Sequence, residues 1–227
     1  MADLHDVRAH LWPLIEETRN LDHLLLTKRP ENVLRMVPAA WLRDWPRNAW
    51  IGCTVEHQAA ANQRLPHLLR IPAAVRFVSY EPALGPVDFT PWMPRCTICG
   101  EMGPGRHPDA DLGSPCGEPG DVRAGLDWII VGGESGPGAR PFDLAWARQT
   151  VAQCKAAGVS VFVKQLGAVP VPQHPPKGPA DLHMRHARMW QSGLEQRLIL
   201  SLRDRKGGDM DEWPADLRVR EWPEVRR

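Results

Sequence analysis

Leu126-Asp127-Trp128-Ile129-Ile130-Val131 runs directly into Gly132-Gly133-Glu134-Ser135-Gly136-Pro137-Gly138. The apolar run is too short for a helix and too continuously apolar for a half-exposed strand. It has the pattern of a strand buried on both faces, closed by a glycine-rich turn. Four more runs have the same form: Leu21–Thr27, Ala49–Val55, Val75–Tyr80 and Val159–Lys164. Helical stretches lie between them. Asp143 is placed to cap a helix over Leu144–Ala157, and Gly158 to end it. Weaker helices, each disturbed by a proline, are expected around His10–Arg19, Glu31–Arg43 and Glu56–Arg70. Strand–helix alternation of this kind builds right-handed βαβ units and a parallel sheet.

Spacing sharpens the expectation. Runs starting at 21, 49 and 75 repeat every 28 and 26 residues, while the next step, from 75 to 126, is 51. About one repeat's worth of chain is therefore inserted before Leu126. Five complete strands at about 27 residues per unit make more than half, but not all, of an eight-stranded barrel. The expected fold is α/β: a partial (β/α) TIM-type barrel of about five parallel strands with a cysteine-containing loop insertion. Residues 1–227 read as one partial-barrel domain, with an inserted loop at 92–122 and an irregular extension at 168–227. Missing barrel strands would leave both outer edges, Leu21–Thr27 and Val159–Lys164, open and the chain prone to associate.

In parallel barrels functional groups gather at the strand C-termini. Here those ends carry Lys28 and Arg29, Glu56, Glu81, Glu134 with Gly132, Gly133 and Ser135, and Lys164 with Gln165. Charge at all five ends points to a mouth that binds a small polar ligand, with Glu134 and Lys164 as its central charges. Glycines of the Gly132–Gly138 loop let backbone N–H groups approach a phosphate or carboxylate. The residues point to ligand binding without fixing a reaction.

The insertion carries Cys96-x-x-Cys99 and then Cys116. Two thiolates three positions apart with a third nearby form most of a tetrahedral site, and a loop poor in apolar residues gains order from a metal. A structural zinc is expected on Cys96, Cys99 and Cys116, with His107 as fourth ligand and Asp109 or Asp111 as alternatives. Cys53 and Cys154 sit on apolar faces and read as core residues.

Composition bounds the rest. Lys+Arg 28 against Asp+Glu 27 leaves a formal charge of +1, so nucleic-acid binding is not indicated. No apolar run approaches the ~20 residues of a membrane helix. The N-terminus has no basic segment followed by an apolar one. A cytoplasmic protein is expected.

These same residues carry a resemblance. Leu26-Thr27-Lys28-Arg29-Pro30, Gly52-Cys53-Thr54-Val55-Glu56, Val78-Ser79-Tyr80-Glu81-Pro82, Ile130–Gly136 and Phe162-Val163-Lys164-Gln165-Leu166-Gly167 resemble the phage-associated "gene-product thirty-seven / sixty-eight" family of unknown function. Members of that family look like radical-SAM barrel proteins. The tail, with Lys206-Gly207-Gly208-Asp209 and Glu212-Trp213-Pro214, fits the family's ending. The resemblance implies an iron–sulfur cluster and S-adenosylmethionine for intact members, held by an N-terminal three-cysteine motif. This chain has no cysteine before Cys53, so neither is expected of it alone. The expected function is that of a truncated radical-SAM-like barrel that keeps its polar ligand pocket. The alternatives are a cluster-free barrel acting on a phosphate- or carboxylate-bearing metabolite, and a half-barrel subunit whose partner is a separately encoded N-terminal half.

Overall fold

The computed structural model describes residues 4–96, 102, 122–172, 187–193 and 195–224. In chain order the elements are α1 (Leu4–Glu17), β1 (His23–Thr27), α2 (Val33–Met36), β2 (Ala49–Thr54), α3 (Gln58–Leu68), β3 (Arg76–Tyr80), β4 (Arg95–Cys96), β5 (Val122–Arg123), β6 (Trp128–Gly132), β7 (Phe142–Asp143), α4 (Leu144–Ala157), β8 (Ser160–Gln165), β9 (Pro170–Val171), β10 (Ala187–Ser192) and β11 (Glu195–Leu200). The five apolar runs form one sheet in the order β1-β2-β3-β6-β8, and every neighbouring pair is parallel. The sheet is open. The fold is α/β with a five-stranded parallel sheet, and barrel closure is not formed among the described residues.

Helix α4 forms where its signals lie. The Asp143 carboxylate accepts from Ala145 N–H at 2.8 Å, and Gly158 adopts the left-handed conformation at φ 63°. The Glu31–Arg43 expectation fails by contrast. Only a 3-10 turn over Pro30–Asn32 and the four-residue α2 form there, consistent with Pro30 and Pro38 at either end.

The two faces of the sheet differ. Ile51, Cys53, Val78, Ile129, Val131, Val161 and Val163 pack with Leu65 and Leu68 of α3 and Ala147, Val151 and Cys154 of α4 into the main core. Trp50, Phe77 and Trp128, with Ile130 and Phe162 beside them, form a separate aromatic cluster. Register explains the split. Leu24 pairs with Trp50, Leu26 with Gly52, Gly52 with Phe77, and Phe77 with Trp128, and side chains opposite one another share a face.

One edge expectation and one burial expectation are corrected. The β8 edge is not open: Val163 N–H donates to Val219 O at 2.8 Å and Glu221 N–H to Val161 O at 2.9 Å. The tail then lays Trp222 against Trp128 and Phe162, with ring centroids 4.8 and 5.7 Å apart. Second, the Leu21–Thr27 run is not buried on both faces. Among the described residues β1 pairs only with β2, which leaves Leu24 and Leu26 exposed. An all-apolar sequence cannot distinguish a central strand from an edge strand whose partner lies elsewhere.

The expected zinc is also corrected. Among the described residues no group of three or more His, Cys, Asp or Glu side chains could hold a metal ion, so a structural zinc is not supported. Cys96 is a buried residue of β4, paired opposite Val122 of β5. Cys99, His107 and Cys116, with Asp109 and Asp111, lie outside the described residues. No helix among the described residues is long and apolar enough to cross a membrane.

Candidate functional site

The strand C-termini carry three ion-pair units. After β2, the Glu56 carboxylate accepts from Lys28 Nζ at 2.9 Å and from Arg64 Nη1 at 2.7 Å. Arg64 also donates to Thr54 O at 2.7 Å, which ties α3 back to the strand that precedes it. After β3, Glu81 accepts from Lys164 Nζ of β8 at 3.3 Å. After β6, Glu134 holds Arg140 through Nε at 2.8 Å and Nη2 at 2.9 Å, and also takes the Arg140 backbone N–H at 3.0 Å. The hydrogen bonds to Glu134 raise the Arg140 pKa against the opposing effect of burial, and the Glu134 and Glu56 charges add to the rise. The third unit therefore acts electrostatically on the first.

In each unit the carboxylate is the more sheltered partner. Side-chain exposure is 65% for Lys28 against 13% for Glu56, 57% for Lys164 against 15% for Glu81, and 55% for Arg140 against 29% for Glu134. The acids serve as inner anchors that hold three cationic heads toward solvent. Burial alone would raise the Glu56 pKa, but Lys28 and Arg64 outweigh it and leave the pKa lowered. At Glu81 the balance reverses: burial raises the pKa, and Lys164 offsets only part of the shift. Gly132 makes room for this, because a Cβ there would lie 2.7 Å from Glu81 Oε1.

The sequence brought Lys28, Glu56, Glu81, Glu134 and Lys164 to this end of the sheet but not their pairing. Glu134 and Lys164, expected as the central charges, belong to separate units, Glu134 with Arg140 and Lys164 with Glu81. Gln165 joins the strand ends instead: its Nε2 donates to Gly133 O at 2.9 Å, while Gly133 N–H donates to Gln165 O at 3.0 Å. Ser135 is exposed on the loop, and Arg29 is exposed on the β1 side. Arg64 and Arg140 were missed. Arg64 stands eight residues after Glu56, which a helix over 58–68 turns back to the same side. Arg140 lies just beyond the two left-handed glycines, Gly136 and Gly138, that fold its loop back.

Glu134 sets a pH dependence. Its hydrogen bonds to Arg140 depress its pKa from an ordinary 4.5 to about 2. A depressed acid contributes stability that is present above its unfolded value and lost as pH falls toward its folded one. The melting temperature of Glu134→Gln should therefore lie below that of the wild type at about pH 6, with the gap closing between 4.5 and about 2. A gap constant over that range would show that the pair does not form in solution.

Residues 3–201 match the model of a family described as a protein of unknown function, DUF5131. The chain belongs to the DUF5131 family. No curated protein and no solved structure matches the chain. The matched segment of this DUF5131 member holds all three ion-pair units and ends before Trp213 and Leu217, which are fully buried in its main core.

Proposed function

We propose that this DUF5131 protein binds a small anionic ligand, carrying phosphate or carboxylate, at the strand C-termini, on a sheet built as part of a radical-SAM-like barrel of the phage-associated kind. The observation that carries the reading is the asymmetry of the ion pairs. Lys28, Lys164 and Arg140 face solvent while Glu56, Glu81 and Glu134 anchor them from beneath. Arg64 is the sheltered cation of the set and braces Glu56 from the helix side, which leaves one exposed cation on each carboxylate. An arriving anion meets three positioned donors whose charge is already oriented.

The described residues do not fit an iron–sulfur cluster. Cys53 and Cys154 are buried in the main core with the helices. Burial pushes the Cys53 thiol to about 12 and raises that of Cys154 as well, so neither supplies a thiolate at the mouth. Ligand binding here rests on side-chain charge.

Inorganic pyrophosphate and succinate serve as phosphate and carboxylate probes in isothermal titration. At least one should bind, with affinity falling as salt rises. Lys28→Met combined with Lys164→Met should weaken that binding by about a hundredfold or more, since each charge-assisted hydrogen bond contributes about 1.5–3 kcal/mol. The melting temperature should fall only modestly: both ammonium groups are largely hydrated and Arg64 still holds Glu56, so the cost is confined to Glu81, left without its cation. Absence of binding by both probes, or wild-type affinity in the double variant, would overturn the proposal.

A further inference from the structure

The sheet has one strand edge without a partner among the described residues. The tail occupies the β8 edge through Val219 and Glu221, whereas β1 pairs only with β2. His23 N–H donates toward β2, to Asn48 O at 2.7 Å, so the alternate residues Leu24 and Leu26 direct their backbone N–H and C=O away from the sheet. Their side chains are 41% and 52% exposed. A groove of about 660 Å³ runs along this edge, between β1 and apolar residues of α1 and α2 that include Leu11, Trp12 and Met36. A bare edge with apolar side chains is a template for another strand.

The segment itself indicates which strand. Asp22-His23-Leu24-Leu25-Leu26-Thr27-Lys28 is self-complementary when two copies run antiparallel about Leu25. Leu24 then lies opposite the second copy's Leu26, His23 opposite Thr27, and Asp22 opposite Lys28. The backbone pattern agrees with the side-chain pattern. Leu24 and Leu26 both point their peptide groups outward, so each facing Leu24–Leu26 pair is a hydrogen-bonded pair, with the Leu25–Leu25 position non-bonded between them. By the two-residue period, Asp22 and Lys28 fall in line with Leu24 and Leu26 on the aromatic face of the sheet. Asp22 is exposed, and the Lys28 side chain remains 65% exposed while bonded to Glu56. A parallel strand of the same sequence would set Asp22 against Asp22 and Lys28 against Lys28, a repulsive arrangement.

We infer that β1 is the interface of an isologous dimer, in which two copies of this chain join their sheets edge to edge through antiparallel β1 strands locked by reciprocal Asp22–Lys28 pairs. Two-fold symmetry makes every contact away from the Leu25 axis occur twice. The interface shares Lys28 with the ligand reading and takes the β1 edge that further strands of a barrel would occupy, so the two readings fail separately: probe binding tests the first and sedimentation the second.

Sedimentation velocity of the full chain tests the pairing. A discrete dimer of the 25.5 kDa chain is expected. Leu24→Lys with Leu26→Lys places charge on the edge and should give a monomer whose melting profile stays cooperative. Asp22→Lys alone and Lys28→Asp alone should each weaken dimerisation roughly tenfold, because each sets two like-charge pairs across the strands. Mixing these two single variants should restore a dimer, since every facing pair then has opposite charges. Asp22→Lys keeps the test readable should Lys28→Asp fold poorly through loss of the Glu56 contact. A wild-type monomer, aggregates without a discrete dimer, association only with a different protein chain, or a mixture no tighter than its components would overturn the inference.

Discussion

Trp213→Ala is expected to cost about 3–5 kcal/mol, the range for removing a large aromatic from a packed core. Trp213 is fully buried in the same cluster as the helix-facing strand residues. Its indole N–H donates to Gly207 O at 3.0 Å, and the Arg220 guanidinium lies 5.5 Å from its ring centroid. Gly207 N–H donates in turn to Asp204 O, and Gly207 O also accepts from Leu166 N–H at 2.8 Å. The indole therefore fixes the loop that grips the exit of β8. In a chain of this size the loss corresponds to a fall in melting temperature on the order of 10 °C. Trp213→Phe retains most of the volume and loses the hydrogen bond, so it should cost about 1–2 kcal/mol. Thermal melts of the two variants check both values. A Trp213→Ala melt within about 2 °C of wild type would show that the tail does not complete the core. The result bears on the family as well, because Trp213 lies beyond the segment that the family model matches.

Gly167→Ala is expected to lower stability by about 3 kcal/mol and to weaken probe binding at the strand ends. Two costs combine. Gly167 has φ 75°, where a Cβ is strained by about 1–2 kcal/mol. A Cβ there would also lie 2.6 Å from Glu134 O and 2.8 Å from Gly133 C. These are backbone atoms of the β6 exit, so they cannot swing aside as a side chain can, and the overlap adds about 1–3 kcal/mol. Ala168 N–H donates to Glu134 O at 2.8 Å, so displacing this contact also moves the residue that anchors Arg140. Gly138 provides the control. It shares φ 75° but has open space around its Cβ position. Gly138→Ala should therefore show the conformational cost alone, about 1–2 kcal/mol. Equal losses in the two variants would mean that the close approach of the β6 and β8 exits is not tight in solution.

The fold was legible where local chemistry repeats. The five apolar runs, the Asp143 cap and the Gly158 stop all act within a few residues, and each formed at its own place. The charged strand ends were legible for the same reason, since a parallel sheet delivers the residue after every strand to one side. Their pairing was not legible. Glu81 meets Lys164 across 83 positions and Lys28 meets Glu56 across 28, and nothing local distinguishes those partners from Glu134 with Lys164. Arg64 and Arg140 lay within reach of a closer reading, since a two-turn helical step and a pair of left-handed glycines each return the chain to its starting side.

The zinc expectation shows the opposite error. Cysteine spacing suggested a shared ligand, but ligation requires several donors to converge in space, and among the described residues no group of three or more such side chains does so.

By itself the sequence determined the strands, the capped helix, the parallel connection and the end of the sheet on which charge collects. Each of these depends on the period and type of neighbouring residues. Only the tertiary structure decided which strand is an edge, which cation each carboxylate holds, and that residues near 213–222 seal one side of the sheet. Those outcomes turn on which distant surfaces bury one another, a competition settled by the whole packed chain and by no short stretch of it.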